Sequence, residues 1–306
     1  MTKVDLITGF LGVGKTTFIK KYANYLLEKG EKLHIIENDF GGLSIDAREL
    51  EKEKLDVSRI TGGCMCCSGL ESFKKLLLKA SERGYDRILV EPSGIYDVNQ
   101  FFAVLESSPV NEFCEIGNII TVADSSSSDI VSKEAEILMY SQLLFSGVVV
   151  MSKTQLHSQE ENGNAVRKLK SIMENKGSSR TLSFITKNFE EFTKEDFLSV
   201  ENAGYAKERG NGEVFNHSSV FFANIIFGRF DTLEHLKVIL SDIFEKKKYG
   251  QVFRIKGFIS DKDGVFYELN CSSDGYFVEK ADVKRGLFLV IGQDFDEEGI
   301  KNLFKM

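Results

Sequence analysis

The stretch GFLGVGKT, residues 9–16, decides the fold expected for this chain. It matches the pattern G-x-x-x-x-G-K-[ST] and lies between a strand-like apolar run, VDLIT at 4–8, and a helical pattern, TTFIKKYANYLLEKG at 16–30. A strand, a glycine-rich turn and a helix in this order form a loop whose backbone N–H groups surround phosphate oxygens. The sequence therefore predicts a phosphate-binding loop between the first strand and the first helix.

Each residue type in this loop suits that chemistry. The glycines tolerate the positive φ that a tightly curled backbone requires. The lysine is expected to reach the β- and γ-phosphates as a catalytic group, and the following threonine hydroxyl is expected to bind Mg²⁺. The candidate nucleotide-binding residues of this loop are Gly9, Gly12, Val13, Gly14, Lys15, Thr16 and Thr17.

The first two thirds of the chain repeat the strand-then-helix pattern. Beyond the first strand, β-rich apolar runs occur at 32–37, 56–61, 87–91, 118–123, 147–151 and 181–186. Segments of helical length, with apolar residues every three or four positions, separate most of them. This alternation predicts an α/β domain over residues 1–200, with the doubly wound, mostly parallel sheet of a P-loop NTPase and with ligands at the carboxyl ends of its strands.

A polar, glycine-containing connector at 201–219 interrupts this rhythm and marks a domain boundary. Beyond it, a helical pattern at 231–248 is flanked by extended runs at 220–230, 251–259, 265–270, 276–280 and 287–292. The turn signals DKDG and SSDG separate several of these runs. The sequence predicts a second, smaller α+β domain with an antiparallel sheet over residues 215–306.

Composition narrows the class of partner. The 306 residues carry a formal net charge of −7, which argues against a general nucleic-acid or membrane-surface binder. No apolar run is long enough for a signal peptide or a membrane span. The expectation is a cytoplasmic protein with small-molecule or protein partners, no nucleic acid and no membrane, while a homo-oligomer is left open.

Two segments after the loop carry acidic residues where a phosphate site needs them. In RILVEPSG, residues 87–94, Glu91 closes an apolar strand and is a candidate catalytic carboxylate, while Gly94 is expected to approach the γ-phosphate. In ENDFGGLSID, residues 37–46, Asp39 and Asp46 are candidate ligands for hydrated Mg²⁺ or for a second metal. The second segment is a candidate switch that senses the nucleotide.

Three of the five cysteines crowd into TGGCMCCSG, residues 61–69. Cys64, Cys66 and Cys67 can supply three thiolates to a transition metal, with Zn²⁺ the commonest choice and Ni²⁺, Co²⁺ or Cu⁺ as alternatives. Structural zinc normally takes four ligands, so three thiols indicate an open site completed by Asp39, water or a residue of a partner. A redox-sensing thiol cluster and adventitious cysteines are the competing interpretations.

With the motifs GFLGVGKTT, NDFG, GGCMCC and E-P-S-G in this order, the sequence resembles the CobW-like family of P-loop GTPases. FRIKG at 253–257 extends the resemblance into the second half. The resemblance implies a GTP-hydrolysing metallochaperone or metal-insertion factor that binds GTP or GDP, Mg²⁺, and Zn²⁺ or Co²⁺ through C-x-C-C. Nucleotide state is then expected to govern handover to a client metalloprotein or metal-dependent enzyme.

Two departures from the family pattern stand out. The guanine-reading N-K-x-D appears as SKTQ, so the candidate base-binding residues are Ser152, Lys153 and Gln155. An amide at Gln155 forms hydrogen bonds without the charge of an aspartate, which leaves GTP against ATP open. The histidine-rich loop that many members carry is reduced to His217.

Two other functions are compatible with these motifs. One is a metal-storage or regulatory module that binds nucleotide but hydrolyses little. The other is a P-loop kinase that uses ATP on a small molecule, although the sequence offers no recognisable lid and the cysteines stay unexplained. For the GTPase itself we expect slow turnover without a partner, because no internal arginine finger can be assigned.

Overall fold

The computed structural model describes residues 1–38, 55–60, 69–125, 133–206, 222–273, 275–283 and 286–305. The chain divides into two compact units, Met1–Phe215 and Asn216–Met306. The division falls inside the polar connector at 201–219. The first unit continues beyond residue 200, because Gly204 N donates to Asn118 Oδ1 at 2.7 Å and Tyr205 pairs with Ser146.

A parallel sheet forms the centre of the first unit. Its strands are β1 (Thr2–Thr8), β2 (Leu33–Glu37), β3 (Val57–Arg59), β4 (Arg87–Glu91), β5 (Cys114–Asp124), β6 (Val148–Ser152) and β7 (Phe184–Ile185). The seven strands lie in the order β3-β2-β4-β1-β5-β6-β7, and all neighbouring pairs are parallel. This confirms the predicted doubly wound architecture, and it places the carboxyl ends of the parallel strands, which the nucleotide motifs follow, along one edge of the sheet.

Helices connect these strands in the described ranges. They are α1 (Lys15–Glu28), α2 (Leu70–Glu82), α3 (Val98–Leu105), α4 (Val110–Phe113), α5 (Lys133–Leu144), α6 (Gln159–Asn175) and α7 (Lys194–Glu201), with short 3₁₀ turns at Thr154–Leu156 and Phe189–Glu191. Helix α1 buries Phe18, Tyr22 and Leu26, which are spaced four residues apart and therefore share one face. Gly30, at a φ of 88°, follows the C-cap residue Lys29 and ends this helical segment.

A buried polar network fixes the amino-terminal edge of the sheet. The Asp5 carboxylate is fully buried and accepts hydrogen bonds from Arg87 Nη1 at 2.8 Å, Asn118 N at 2.8 Å and Tyr22 Oη at 3.1 Å. These partners come from β4, β5 and α1, so one carboxylate ties three neighbouring elements to β1. The predicted nucleotide-binding loops follow the strands at the opposite, carboxyl-terminal edge of the sheet.

The second unit is an α+β fold with a mostly antiparallel sheet. Its elements are β8 (Phe222–Ile226), β9 (Arg229–Phe230), α8 (Leu233–Phe244), β10 (Gln251–Asp261), β11 (Phe266–Ser272), β12 (Gly275–Lys280), β13 (Leu287–Gln293) and α9 (Glu297–Leu303). The strand order is β12-β11-β10-β13-β8, and β9 pairs with β10 in parallel. The sequence pattern predicts each of these strand regions and α8, but not α9.

The core of the second unit lies between α8 and one face of this sheet. Leu236, Ile239 and Ile243 of α8 are buried in one cluster with Ile255 and Leu269 of the sheet. Thr232 caps α8 by accepting a hydrogen bond from His235 N at 3.1 Å. None of the helices in the described ranges combines the length and the apolar character that crossing a bilayer requires.

Candidate functional site

The loop between β1 and α1 adopts the tightly curled backbone that its glycines predict. Gly9, Gly12 and Gly14 have φ values of 140°, 74° and 91°. At Gly9 a side chain is also excluded by space, because a Cβ there would lie 2.1 Å from the Val122 carbonyl oxygen of β5. The first glycine of the motif therefore lets β1 turn directly against β5 and brings the loop to the sheet edge.

Lys15 directs its charge back into this loop. Its side chain is buried, and Nζ lies 3.0 Å from both the Gly9 and the Phe10 carbonyl oxygens. Helix α1 begins at Lys15, with Gly14 at the N-cap. An ammonium group and a helix N-terminus together favour a bound anion, because both place positive charge at the same point.

A carboxylate and a hydroxyl meet beside the lysine. Thr16 Oγ1 donates to Glu91 Oε1 at 2.8 Å, and Glu91 is buried at the last position of β4. The two residues are 75 positions apart in sequence and converge because β1 and β4 are neighbours in the sheet. These hard oxygen donors fit Mg²⁺, which prefers oxygen ligands and is held through one or two protein groups plus the phosphates.

A second buried carboxylate lies at the end of the neighbouring strand. Glu37 closes β2, stands in register with Glu91, and is followed by buried Asn38, whose N–H donates to the Glu91 carbonyl at 2.8 Å. Glu37 is not among the predicted site residues, although it closes an apolar strand in the same way as Glu91. Two carboxylates therefore lie at adjacent strand ends.

The segment after β4 packs directly against the phosphate loop. Gly94 is buried, and a Cβ at this position would lie 2.6 Å from Leu11 N and 2.8 Å from Leu11 Cα. Tyr96, two residues further on, is buried, and burial raises the pKa of its phenol well above the ordinary value, so it stays neutral. The backbone at residue 94 thus rests on the loop that the first motif forms.

The residues of SKTQ lie at the end of β6, on the same edge. Ser152 Oγ donates to the Ala123 carbonyl at 3.1 Å. Lys153 has a φ of 55°, a left-handed conformation unusual for a side chain of this size, and its ammonium pairs with Asp124 at the end of β5. Gln155 is exposed in the 3₁₀ turn that follows.

An open cavity of about 620 Å³ adjoins this turn. It is lined by Thr154, Gln155, Asn162, Phe184, Ile185, Thr186, Lys187, Asn188, Glu191 and Asp196. The segment 186–188, which directly follows β7, was not singled out from the sequence. Its position could have been inferred, because it follows the last strand of a parallel sheet whose other strand ends carry the motifs.

The family sequence model for the nucleotide-binding domain of CobW, HypB and UreG proteins matches residues 3–182. The chain belongs to this CobW/HypB/UreG family. The match includes strands β1 to β6, apart from the first residue of β1, and ends just before β7. It confirms the family resemblance drawn from the motifs.

Several characterised relatives of this CobW/HypB/UreG protein have similar sequences. The zinc chaperone YjiA of Escherichia coli is 29% identical over 167 residues, which cover 52% of this chain and 51% of YjiA. The zinc chaperone YeiR of the same organism is 38% identical over 113 residues, 37% of this chain and 34% of YeiR. The zinc-regulated GTPase metalloprotein activator 1 of Dictyostelium discoideum is 25% identical, over 51% of this chain and 41% of that protein. The chain thus spans about half or less of the length of these relatives.

Two matches among solved structures have low structural similarity to this chain. A crystal structure of Zn(II)-bound YjiA GTPase from E. coli has a TM-score of 0.45 and 17% identity, covering 99% of this chain and 97% of that one. HypB from Helicobacter pylori in complex with nickel has a TM-score of 0.45 and 18% identity, covering 66% of this chain and 84% of that one. The family assignment rests on the sequence match alone.

The fold brings together the predicted nucleotide residues that lie within the described ranges. The loop from Gly9 to Thr17, Glu91, Gly94 and the segment 152–155 all follow strands at the carboxyl edge of one sheet. The predicted metal residues Asp39, Asp46, Cys64, Cys66 and Cys67 lie outside the described residues. Within the described part of the chain, no group of three or more His, Cys, Asp or Glu side chains is arranged to hold a metal ion.

Proposed function

We propose that this CobW/HypB/UreG protein binds and hydrolyses GTP and couples its nucleotide state to the binding and release of a transition metal. One observation carries the nucleotide half of this proposal. Lys15 and Thr16 at the start of α1 and Glu91 at the end of β4 converge beside a loop of positive-φ glycines. A buried cation, a hydroxyl and a carboxylate in this arrangement suit a magnesium-bound triphosphate.

Each group has a separate task in this mechanism. The backbone of residues 9–17 binds the phosphates, and Lys15 stabilises the charge that develops as the terminal phosphoryl group leaves. Thr16 and Glu91 are the residues that would hold Mg²⁺, which supplies neutralisation of the phosphate charge when it is bound. Gly94 borders the terminal phosphate, and Ser152, Lys153 and Gln155 face the base.

The transition metal is assigned to the thiolates of Cys64, Cys66 and Cys67, with Asp39 as a candidate fourth ligand and Asp46 as a further carboxylate of the same region. Three thiolates favour a soft or borderline cation. The relatives YjiA and YeiR bear the name zinc chaperone, which favours Zn²⁺ over Co²⁺ as the metal carried. A carrier function also explains why only three thiols are present, since an incomplete ligand set lets a client take the metal.

Guanine as the base is supported by the relative in D. discoideum, which bears the name of a GTPase. Gln155 stands where the family motif has an aspartate, so guanine recognition here uses an amide. The amide oxygen accepts one hydrogen bond from the guanine edge, whereas a carboxylate accepts two charge-assisted ones. We therefore expect GTP to be preferred less strongly than in a protein that carries the aspartate.

Phosphate release from GTP tests the nucleotide half. Substitution Lys15→Ala is expected to lower the rate by about 10²–10³-fold, because the transition state loses a buried positive charge. Glu91→Gln is expected to raise the Mg²⁺ concentration needed for half-maximal rate. Lys74→Ala, which removes a half-exposed lysine of α2 near Glu71, is the control and is expected to leave the rate unchanged.

The outcome separates this function from its two rivals. A wild-type chain that binds GTP without releasing phosphate would be a metal-binding regulatory module instead. Transfer of the γ-phosphate of ATP to a small metabolite would make it a kinase. A rate unaffected by Lys15→Ala would show that the hydrolysis belongs to a contaminant and would contradict the assigned site.

A further inference from the structure

A buried glutamine on α5 reaches the segment that follows β4. Gln142 is fully buried, and its Nε2 donates to the Gly94 carbonyl oxygen at 3.3 Å. The main chain of the same residue is fixed from the sheet, because its carbonyl oxygen accepts from Thr121 Oγ1 of β5 at 2.9 Å. Gln142 therefore joins α5 to β5 through its backbone and to the loop after β4 through its side chain.

The residue that Gln142 holds is in close contact with the phosphate loop. A Cβ on Gly94 would lie 2.8 Å from the Phe10 carbonyl carbon and 2.6 Å from Leu11 N, so no gap separates the two backbones. Close-packed groups transmit displacement, since neither can move toward the other without the other giving way. The position of the peptide at residue 94 is thus set from one side by the phosphate loop and from the other by Gln142.

Stability alone does not account for an amide at this place. Gln142 Oε1 is buried and has no hydrogen-bond partner within the described ranges. A buried polar atom left without a partner destabilises the folded state, and an apolar side chain of similar length would fill the same space without this cost. The donor half of the amide is the part that the site uses.

We propose that Gln142 is a positioning residue for recognition of the terminal phosphate of the nucleotide. By holding the Gly94 carbonyl, it keeps the peptide at residue 94 against Leu11, where the γ-phosphate is bound. This inference rests on the proposed function, in which Gly94 borders that phosphate. In that function a diphosphate lacks the phosphate that Gly94 borders, so the contribution of Gln142 is expected in triphosphate binding alone.

The test compares two affinities in each variant of the full chain. Binding of Mg-GDP and of a non-hydrolysable Mg-GTP analogue is titrated in the wild type, in Gln142→Met, which keeps the length without the donor, and in Ser141→Ala. Ser141 is the matched control, because it is buried on the same helix and its hydroxyl donates to the Leu138 carbonyl oxygen of that helix, at 2.9 Å. Gln142→Met is expected to weaken the analogue about five- to tenfold, the worth of one hydrogen bond, and to leave Mg-GDP within about twofold.

Three results would overturn the proposal. Equal weakening of both nucleotides in Gln142→Met would reduce Gln142 to a structural residue, and unchanged affinity for both nucleotides would remove its role altogether. A wild-type chain that binds neither nucleotide would overturn the proposed function and this inference with it. If Gln142→Met does not fold, the same titrations on Gln142→Asn, whose amide is one methylene too short to reach Gly94, carry the same expectation.

Discussion

At the scale of single residues, the site depends on short contacts between groups far apart in sequence. Thr16 and Glu91 meet at 2.8 Å, and Lys153 at the end of β6 pairs with Asp124 at the end of β5. Glu91 and Asp124 are the last residues of their strands, whereas Thr16 lies at the start of α1 and Lys153 directly follows β6. Single substitutions here are expected to change ligand preference more than folding.

Gln155→Asp is expected to increase the preference for GTP over ITP by about tenfold, because a carboxylate adds a charge-assisted acceptor for the guanine amino group that inosine lacks. The matched control is Gln159→Asp, the same change at the exposed first residue of α6. Competition titrations of the two triphosphates measure the ratio. A ratio that changes equally in both variants would show that Gln155 does not face the base.

His34 makes stability depend on pH. Burial lowers the pKa of His34 below its ordinary value of 6.5, while Asp56, 3.6 Å away, opposes this shift. The unfolded chain therefore takes up a proton that the folded chain does not, and the free energy of unfolding falls as pH drops below about 6.5. In His34→Phe, which can keep the ring beside Tyr85, the loss between about pH 7.5 and about pH 5.5 is expected to be smaller. Urea unfolding at the two pH values checks this, and an equal loss in both proteins would contradict it.

At the scale of elements, how much the sequence predicts depends on the strength of each pattern. Strand β4, Arg87–Glu91, coincides with the apolar run at 87–91 because a continuous buried run has sharp polar ends. Strand β5 begins at Cys114, four residues before its apolar run, because its first residues pair with Thr2–Val4 of β1. The side-chain pattern of these first residues does not indicate this backbone pairing. Edge strand β7 is shorter than predicted and spans only Phe184–Ile185.

Some residues of the candidate site could likewise be predicted from the sequence, whereas others could not. The nucleotide motifs could be located because their residue types are dictated by phosphate chemistry over a short, fixed spacing. The contact between Gln142 and Gly94 could not, because it joins α5 to the loop after β4 across 48 residues and depends on how helix and sheet pack. Helix α9, Glu297–Leu303, was missed because two turns give too little periodicity.

The elements of the parallel sheet are tied together by the buried pair of Asp5 on β1 and Arg87 on β4. Arg87 also bonds Glu31 through Nε at 2.9 Å. Arg87→Ala is expected to lower the free energy of unfolding by about 3–5 kcal/mol, because it leaves a buried carboxylate without its cation. Urea denaturation measures this. Lys262→Ala, which removes the exposed pair with Asp231, is the control, and a similar loss there would contradict the special role of the buried pair.

At the scale of the whole molecule, the CobW/HypB/UreG nucleotide-binding domain precedes, in sequence, a smaller α+β unit with its own core. The proposed metal ligands Cys64, Cys66 and Cys67 follow β3 in sequence, after Glu37 and before Glu91. In sequence, these cysteines therefore lie between two residues that close neighbouring strands at the carboxyl edge of the sheet. This adjacency is the basis for expecting that metal affinity and nucleotide state are linked.

Linkage makes this expectation measurable in both directions. If the triphosphate changes Zn²⁺ affinity by a given factor, Zn²⁺ must change triphosphate affinity by the same factor. Changing Cys64, Cys66 and Cys67 together to alanine is expected to remove the effect on both ligands. Agreement of the two factors also guards against a titration error in either one.

The central claim is tested most directly by an anaerobic competition titration of Zn²⁺ on one preparation without nucleotide, with Mg-GDP, and with a non-hydrolysable Mg-GTP analogue. We predict that the Zn²⁺ affinity differs by about tenfold between the two nucleotide states, a coupling free energy of about 1.4 kcal/mol. Zinc binding of equal affinity in all three states would contradict a nucleotide-gated carrier and would leave a metal site independent of the nucleotide.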